Sequence, residues 1–183
     1  MTPSDPTQPV PPVSDDRPFV AAPPPPGHDH GACLTRGLAE AKARCEDKGA
    51  RLTAARSRVL EILLRDSVHG ALGAYDIIER LAAAGQSRPA PMSIYRALDF
   101  LVELGLVHRI TSLNAFVACA HPRKDHGAQF LICRGCRSVT ELTDTGVNHI
   151  LREAAIAVDF APEPAIVEVP GLCVHCRSGE AAS

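Results

Sequence analysis

Between Leu34 and Val107 apolar residues recur every three or four positions; beyond that point the spacing shortens toward two. The change of period predicts helices first and strands afterwards. LTRGLAEAKARCEDKG reads as a helix beginning near Leu34 and closed by Gly49. RLTAARSRVLEILLRD reads as a second, with Thr53 as N-cap and Val59, Leu60, Leu63 and Leu64 on one face. AYDIIERLAAAG is a third, burying Ile77, Ile78 and Leu81 and ending at Gly85. In RPAPMSIYRALDFLVELGLV the two prolines suit a helix start, where no backbone donor is needed, and Gly105 marks the stop. There Ile94, Ala97, Leu98 and Leu101 form the core stripe, while Ser93, Arg96 and Glu103 fall on the polar face.

Two strand-like pieces follow, LVHRIT and AFVAC, joined by a turn at Ser112, Leu113 and Asn114. Helices followed by a β-hairpin outline a winged helix-turn-helix over residues 32–120, with the fourth helix as recognition helix and the hairpin as wing. Residues 121–127 form a linker. From residue 128 to 178 a small α+β unit is expected. AQFLIC and SVTEL alternate as paired strands around a cysteine turn, and PAIVEV is a further strand. Between them DTGVNHILREAAIAVDF is helical, with Val147, Ile150, Leu151, Ala154 and Val158 on one face.

Composition adds a tail at each end. Ten of the sixteen prolines lie in residues 1–31, where no apolar period is found, so a disordered, polyproline-like segment is expected there. It carries His28 and His30, which read as part of a solvated linker or as weak metal ligands. Residues 179–183 form a second, short tail. The chain of 183 residues holds 19 basic and 21 acidic side chains, so total charge names no partner. Its distribution says more. Residues 34–122 carry 12 Lys and Arg against 9 Asp and Glu, whereas residues 123–183 carry 6 against 8. The small basic excess falls on the segment that would face phosphates. No run approaches the roughly eighteen apolar residues of a membrane span. The N-terminus lacks the basic start and apolar stretch of a secretory signal. Seven cysteines in such a chain point to metal or redox chemistry in the cytoplasm more than to a disulfide framework.

Four of those cysteines form two Cys-x-x-Cys pairs, Cys133 with Cys136 and Cys173 with Cys176, separated by 36 residues. Two such pairs supply four thiolates, the ligand set of a tetrahedral zinc site with no open position, hence a structural one. A two-residue spacer turns both sulfurs of a pair to one side, and Gly135 eases the turn. Other donors are scattered singly: His108 and Cys119 on the two wing strands, His121 and His126 in CAHPRKDHG, and Glu141 after the first cysteine pair. Each has an ordinary structural reading taken alone, but together they gather where the two halves of the chain join. Cys33 and Cys45 match no ligand spacing. A zinc hydrolase would need an open coordination position and a general base. The deaminase pattern fails because Ile132 and Leu172 precede the pairs where it requires proline, and HExxH is absent. An enzyme is not expected.

RLTAAR, AYDIIERL, SIYRALDFLVELGLVHRI and FLICRGC with GLCVHC together resemble the Fur family of bacterial metal-responsive repressors, and within it the members that control zinc uptake. The match runs from about Cys33 to Cys176. The resemblance implies an α+β chain, an N-terminal winged helix-turn-helix followed by a small α/β dimerisation domain with a four-cysteine zinc site. It implies a homodimer that binds double-stranded, palindromic operator DNA when loaded with zinc and represses zinc-uptake genes, with neither a membrane nor a small-molecule substrate involved. It implies a regulatory zinc beside the structural one, two per protomer, held by His108, Cys119, His126 and Glu141, with His121 the alternative to His126. Tyr75, Tyr95 and Arg96 match family positions that meet DNA, Ser93 shares the polar face of Arg96, and Arg51 and Arg56 are candidate phosphate ligands. The tyrosines could instead staple the third and fourth helices. Arg96 suits guanine, whose O6 and N7 an Arg fork can bridge. Glu79 matches an acidic position used in pairing neighbouring dimers, but Ala82 stands where its basic partner is expected. The alternative is a family member responding to iron, manganese or peroxide. The linker lacks the full His-His-Asp-His run of iron-responsive members, keeping only Lys124-Asp125-His126.

Overall fold

The computed structural model describes residues 30–66, 70–85, 88–119, 122, 127–142 and 146–178. The expected tail residues 1–29 and 179–183, and both linker histidines, His121 and His126, lie outside the described residues. Four helices come first: α1 (His30–Asp47), α2 (Ala54–Asp66), α3 (Ala74–Ala83) and α4 (Pro91–Glu103). Helix α1 starts four residues ahead of Leu34, so its first turn draws on the segment read as tail. The Thr35 hydroxyl donates to the Gly31 carbonyl at 2.9 Å within that turn. Thr53 caps α2 as expected, its Oγ1 accepting the Arg56 amide at 3.5 Å. Pro91 opens α4 at a position that needs no donor.

The apolar stripes of these helices meet in one core. Val59, Leu60 and Leu63 of α2, Ile77 and Ile78 of α3, and Leu98 and Leu101 of α4 are at most 2% exposed. Burying a side chain of this size stabilises by about 1.5–3 kcal/mol relative to leaving it in water. Two arginines tie the helices together from outside. Arg44 donates to the Leu104 carbonyl at 3.1 Å, joining α1 to the end of α4. Arg56 stacks its guanidinium on the Phe100 ring, 3.4 Å from the centroid, joining α2 to α4. At Gly105, with φ +66°, the chain reverses out of α4. The Leu106 amide then donates to the Leu101 carbonyl at 2.9 Å, closing the helix end and aiming the chain into a strand.

The hairpin consists of β1 (Val107–Ile110) and β2 (Ala115–Ala118), paired antiparallel with His108 opposite Val117. A single 3-10 turn, Thr111–Leu113, and left-handed Asn114 connect them. Leu72 adds a third, one-residue strand by exchanging two hydrogen bonds with Phe116, of 2.8 and 2.9 Å. This is the winged helix-turn-helix outline.

The second domain holds a sheet of order β4-β3-β5, with β3 (Ala128–Cys133) central, β4 (Val139–Leu142) antiparallel to it and β5 (Ile166–Gly171) parallel. Helix α5 (Gly146–Ile156) makes the crossover, and a single turn, α6 (Val174–Arg177), follows β5. A second apolar cluster joins the two domains: Ile110 and Val117 of the hairpin pack with Ala128, Phe130 and Ile132 of β3. The last long helix carries apolar side chains that the described residues leave exposed. Ile150 is 65% exposed and Ile156 64%; the helix ends at Ile156, so Val158, expected on the same face, lies in the turn that follows. A stripe in the sequence says that a face seeks cover, not which body supplies it. Among the described residues, no helix is long and apolar enough to cross a membrane.

Candidate metal centres

The first centre sits at one end of the second sheet. Strand β3 ends at Cys133 and the chain folds back at once, with the Arg137 amide donating to the Cys133 carbonyl and the Cys133 amide to the Ser138 carbonyl, both at 2.9 Å. The Arg134 amide donates to the Gly171 carbonyl at 2.8 Å, fixing this knuckle against the end of β5. Two residues further on, Cys173 is the N-cap of α6 and Cys176 lies within it. One ligand atom from each of Cys133, Cys136, Cys173 and Cys176 lies within 4.8 Å of the others. The Cys136 and Cys173 sulfurs are 3.7 Å apart. A tetrahedron with metal–sulfur bonds of about 2.3 Å has sulfur–sulfur edges of about 3.8 Å, so the spacing fits zinc. All four thiols are free of disulfides.

The protonation of these thiols points the same way. Cys133 is pulled down to about 6, chiefly by the Cys173 amide that donates to its sulfur at 3.3 Å. Cys136 is lowered, first by the Ser138 hydroxyl 3.2 Å from it. Cys176 is pushed up to about 12, first by its interaction with Cys133. Amides and a hydroxyl thus favour thiolates on one side while mutual proximity opposes a full set. A divalent cation removes that conflict. Gly135 serves here in a way its turn chemistry did not suggest. The left-handed residue of the knuckle is Arg137, with φ 61°. What Gly135 supplies is space, because a Cβ built there would lie 2.7 Å from the Cys176 sulfur.

The second centre lies between the domains. On β1, His108 shares a strand face with Ile110, which is packed in the interdomain cluster, so its ring is turned toward the second sheet. The ring meets Phe130 edge-on at 5.4 Å. Phe130 is also the register partner of Glu141 across the β3–β4 pair. One buried phenylalanine thereby sets the position of both. The side chains of His108 and Glu141 are only 11% and 9% exposed, and His108 Nε2 stands 3.7 Å from Glu141 Oε1. That distance exceeds a hydrogen bond and suits two ligands of one ion whose bonds are about 2.0–2.2 Å. Cys119, immediately after β2, completes a group whose ligand atoms lie within 4.8 Å of one another. Its amide donates to the Leu106 carbonyl at 2.9 Å, which anchors it beside β1.

On the first domain Tyr75, Ser93, Arg96 and Arg51 are exposed, with Tyr75 at 62%. Tyr95 is half-buried and packs against the helical core, which favours the staple reading for that side chain. Arg56 is engaged within the protein, stacked on Phe100 and donating to the Arg51 carbonyl at 2.7 Å. Glu79 pairs with Arg88 of its own chain at 2.5 Å, so its acidic group already has a partner within the protomer.

A winged helix-turn-helix joined to a second domain, with one soft-donor cluster inside that domain and one between the two, defines a metal-binding protein of DNA-binding architecture. Residues 47–169 match the model of the ferric uptake regulator family, and the chain belongs to that family. It is 37% identical over 146 residues to the zinc uptake regulation protein of Escherichia coli (strain K12), covering 79% of this chain and 83% of the relative. Among solved structures, a zinc uptake regulator complexed with zinc and DNA matches with a TM-score of 0.72 and 34% identity, covering 81% of this chain and 98% of that one. Holo XcZur matches with a TM-score of 0.68 and 38% identity, covering 77% and 96%.

Proposed function

We propose that this chain is a zinc-responsive transcriptional repressor that binds operator DNA as a zinc-loaded homodimer and shuts down zinc-uptake genes in the cytoplasm. It is a regulator and not an enzyme. The observation that carries the reading is the cluster of His108, Cys119 and Glu141, because its members come from both domains. Bound zinc would join the hairpin of the DNA-binding domain to β4 of the dimerisation domain. His126 of the linker completes the set in this reading, with His121 as the alternative. In this reading the two domains, joined by a linker and the apolar cluster, take several orientations when the site is empty. Fixing one of them raises the fraction competent to bind DNA, and affinity rises with that fraction.

The four-cysteine set holds a second, structural zinc, giving two per protomer. It ties the end of β5 and α6 back to the β3 knuckle and is expected to stay occupied when the interdomain site empties. The exposed apolar side of α5, with Ile150 and Ile156, is the surface a second copy covers. Two-fold symmetry then presents two recognition helices to a palindromic operator. Arg96, near the start of α4 and exposed, is the best placed side chain for a guanine edge, with Ser93 exposed on the same helix, and exposed Tyr75 and Arg51 are further candidates for the DNA surface. Tyr95 and Arg56 act from behind, holding α4 in place. A thiolate in the interdomain set favours zinc over iron or manganese, which prefer harder donors.

The test is a mobility shift on a zinc-uptake promoter with and without a titrated zinc chelator, with metal analysis alongside. Operator binding should vanish as the first of two zinc equivalents is removed. Unchanged DNA affinity in protein that retains only the four-cysteine zinc would sink the proposal.

A further inference from the structure

Besides the apolar cluster, a polar contact joins the domains without any candidate ligand. Glu168 lies on β5, and its carboxylate accepts the backbone amides of Thr111 at 2.6 Å and Ser112 at 3.0 Å. These amides open the 3-10 turn at the tip of the hairpin. Both carboxylate oxygens are used, one per amide, so the grip is two-point and directional. The tip of the wing is therefore held against the second domain. His108 lies on the same hairpin three residues before Thr111, about 10 Å along an extended strand. Glu168 in turn is the register partner of Phe130, the residue on which His108 rests.

We propose that Glu168 is a positioning residue for DNA binding, a metal-independent latch that holds the hairpin at its tip while the His108, Cys119 and Glu141 site holds it near its base. The DNA-binding part of this inference rests on the repressor reading above; the latch itself does not. The apolar cluster between the domains is non-directional, and a single directional attachment leaves the first domain free to turn upon it. Two attachments, separated along the hairpin, define an orientation. Loss of the latch thus lowers operator affinity even when zinc is saturating. By linkage it also weakens zinc binding at the interdomain site by the factor through which the two ties cooperate.

The experiment uses the full chain, zinc-loaded, as wild type and as Glu168→Gln, which keeps the shape but replaces one acceptor oxygen by a donor. Amide hydrogen exchange at Thr111 and Ser112 reads the latch directly. Fluorescence anisotropy on a duplex carrying a zinc-uptake promoter, at saturating zinc, reads its consequence. The variant should retain the wild-type zinc content, lose protection at these two amides, and bind the duplex about threefold to tenfold more weakly. Glu168→Asp, which keeps the charge on a shorter reach, should fall between the two, and it carries the comparison if Glu168→Gln fails to fold. Wild-type amides that exchange as fast as those of the variant would overturn the latch. Lost protection with unchanged operator affinity would overturn its role in positioning. If wild type itself ignores the duplex at saturating zinc, the repressor reading fails, and the exchange data alone decide whether the latch exists.

Discussion

Replacing Gly135 with alanine tests whether the knuckle is shaped around the four-cysteine site. The new methyl would stand 2.7 Å from the Cys176 sulfur and 3.0 Å from its Cβ. Ordinary carbon contacts lie at about 3.5–4.0 Å, so the sulfur must give by about 1 Å. It cannot do so cheaply, because its position is one corner of a tetrahedron whose edge spacing, 3.7 Å between Cys136 and Cys173, is already that of bound zinc. Overpacking of this kind costs about 1–3 kcal/mol, which corresponds to roughly a fivefold to 150-fold loss of zinc affinity. Gly171 supplies the control: it lies at the end of the neighbouring strand, and a Cβ there meets nothing within 4 Å. Competition with a chromophoric chelator measures the effect, with thermal melting as a second readout. Gly135→Ala should surrender its structural zinc at lower chelator concentration, while Gly171→Ala behaves as wild type. Equal zinc retention by wild type and Gly135→Ala would refute the steric argument, and equal loss by both variants would show that the end of the sheet is merely fragile.

Three further outcomes are expected. Leu98→Ala, in the middle of the helical core, should lower stability by about 2–5 kcal/mol in urea titrations without altering zinc content. Arg96→Ala should weaken operator binding by about 1–3 kcal/mol and relax preference at one base pair, again with zinc content unchanged. The Glu168 carboxyl sits below its ordinary value: burial works to raise it, and hydrogen bonds from the Ser112 side chain and from the Ser112 and Thr111 amides outweigh that. A depressed carboxyl contributes stability above its unfolded value of 4.5 and loses it as pH falls through the folded one. The stability gap between wild type and Glu168→Gln should therefore be constant near neutrality and close below about pH 4.5, which denaturant titrations at several pH values would check.

The helices were legible because each declares its buried face locally. Ile94, Ala97, Leu98 and Leu101 recur at helical spacing, and all four are buried. The cysteine pairs were legible from spacing alone, and their sulfurs come together as four. Three scattered donors, His108, Cys119 and Glu141, also converge; sequence position gathered them with His121 and His126 where the two halves join, and the family resemblance made a ligand set of them. What stayed hidden depends on long-range contact. Nothing near Glu168 announces that it grips the wing tip. Gly135 reads as a turn residue until the Cys176 sulfur is seen beside it. Arg56 reads as a phosphate ligand until Phe100 is found under its guanidinium. The stripe on α5 is visible in the sequence, but its outward aim is a property of the sheet it fails to cover. The start of α1 at His30 escaped because a glycine and a short run of small residues carry no helical period.

In the proposed mechanism, metal held between the domains, and not the four-cysteine zinc, governs DNA affinity. Anisotropy on a zinc-uptake promoter duplex in zinc buffers, for wild type and Cys119→Ser, tests it most directly. Wild type should switch from weak to tight binding as free zinc rises. Cys119→Ser, still carrying its structural zinc by metal analysis, should stay weak over that range. A Cys119→Ser protein that binds the duplex with the affinity and zinc dependence of wild type would contradict it.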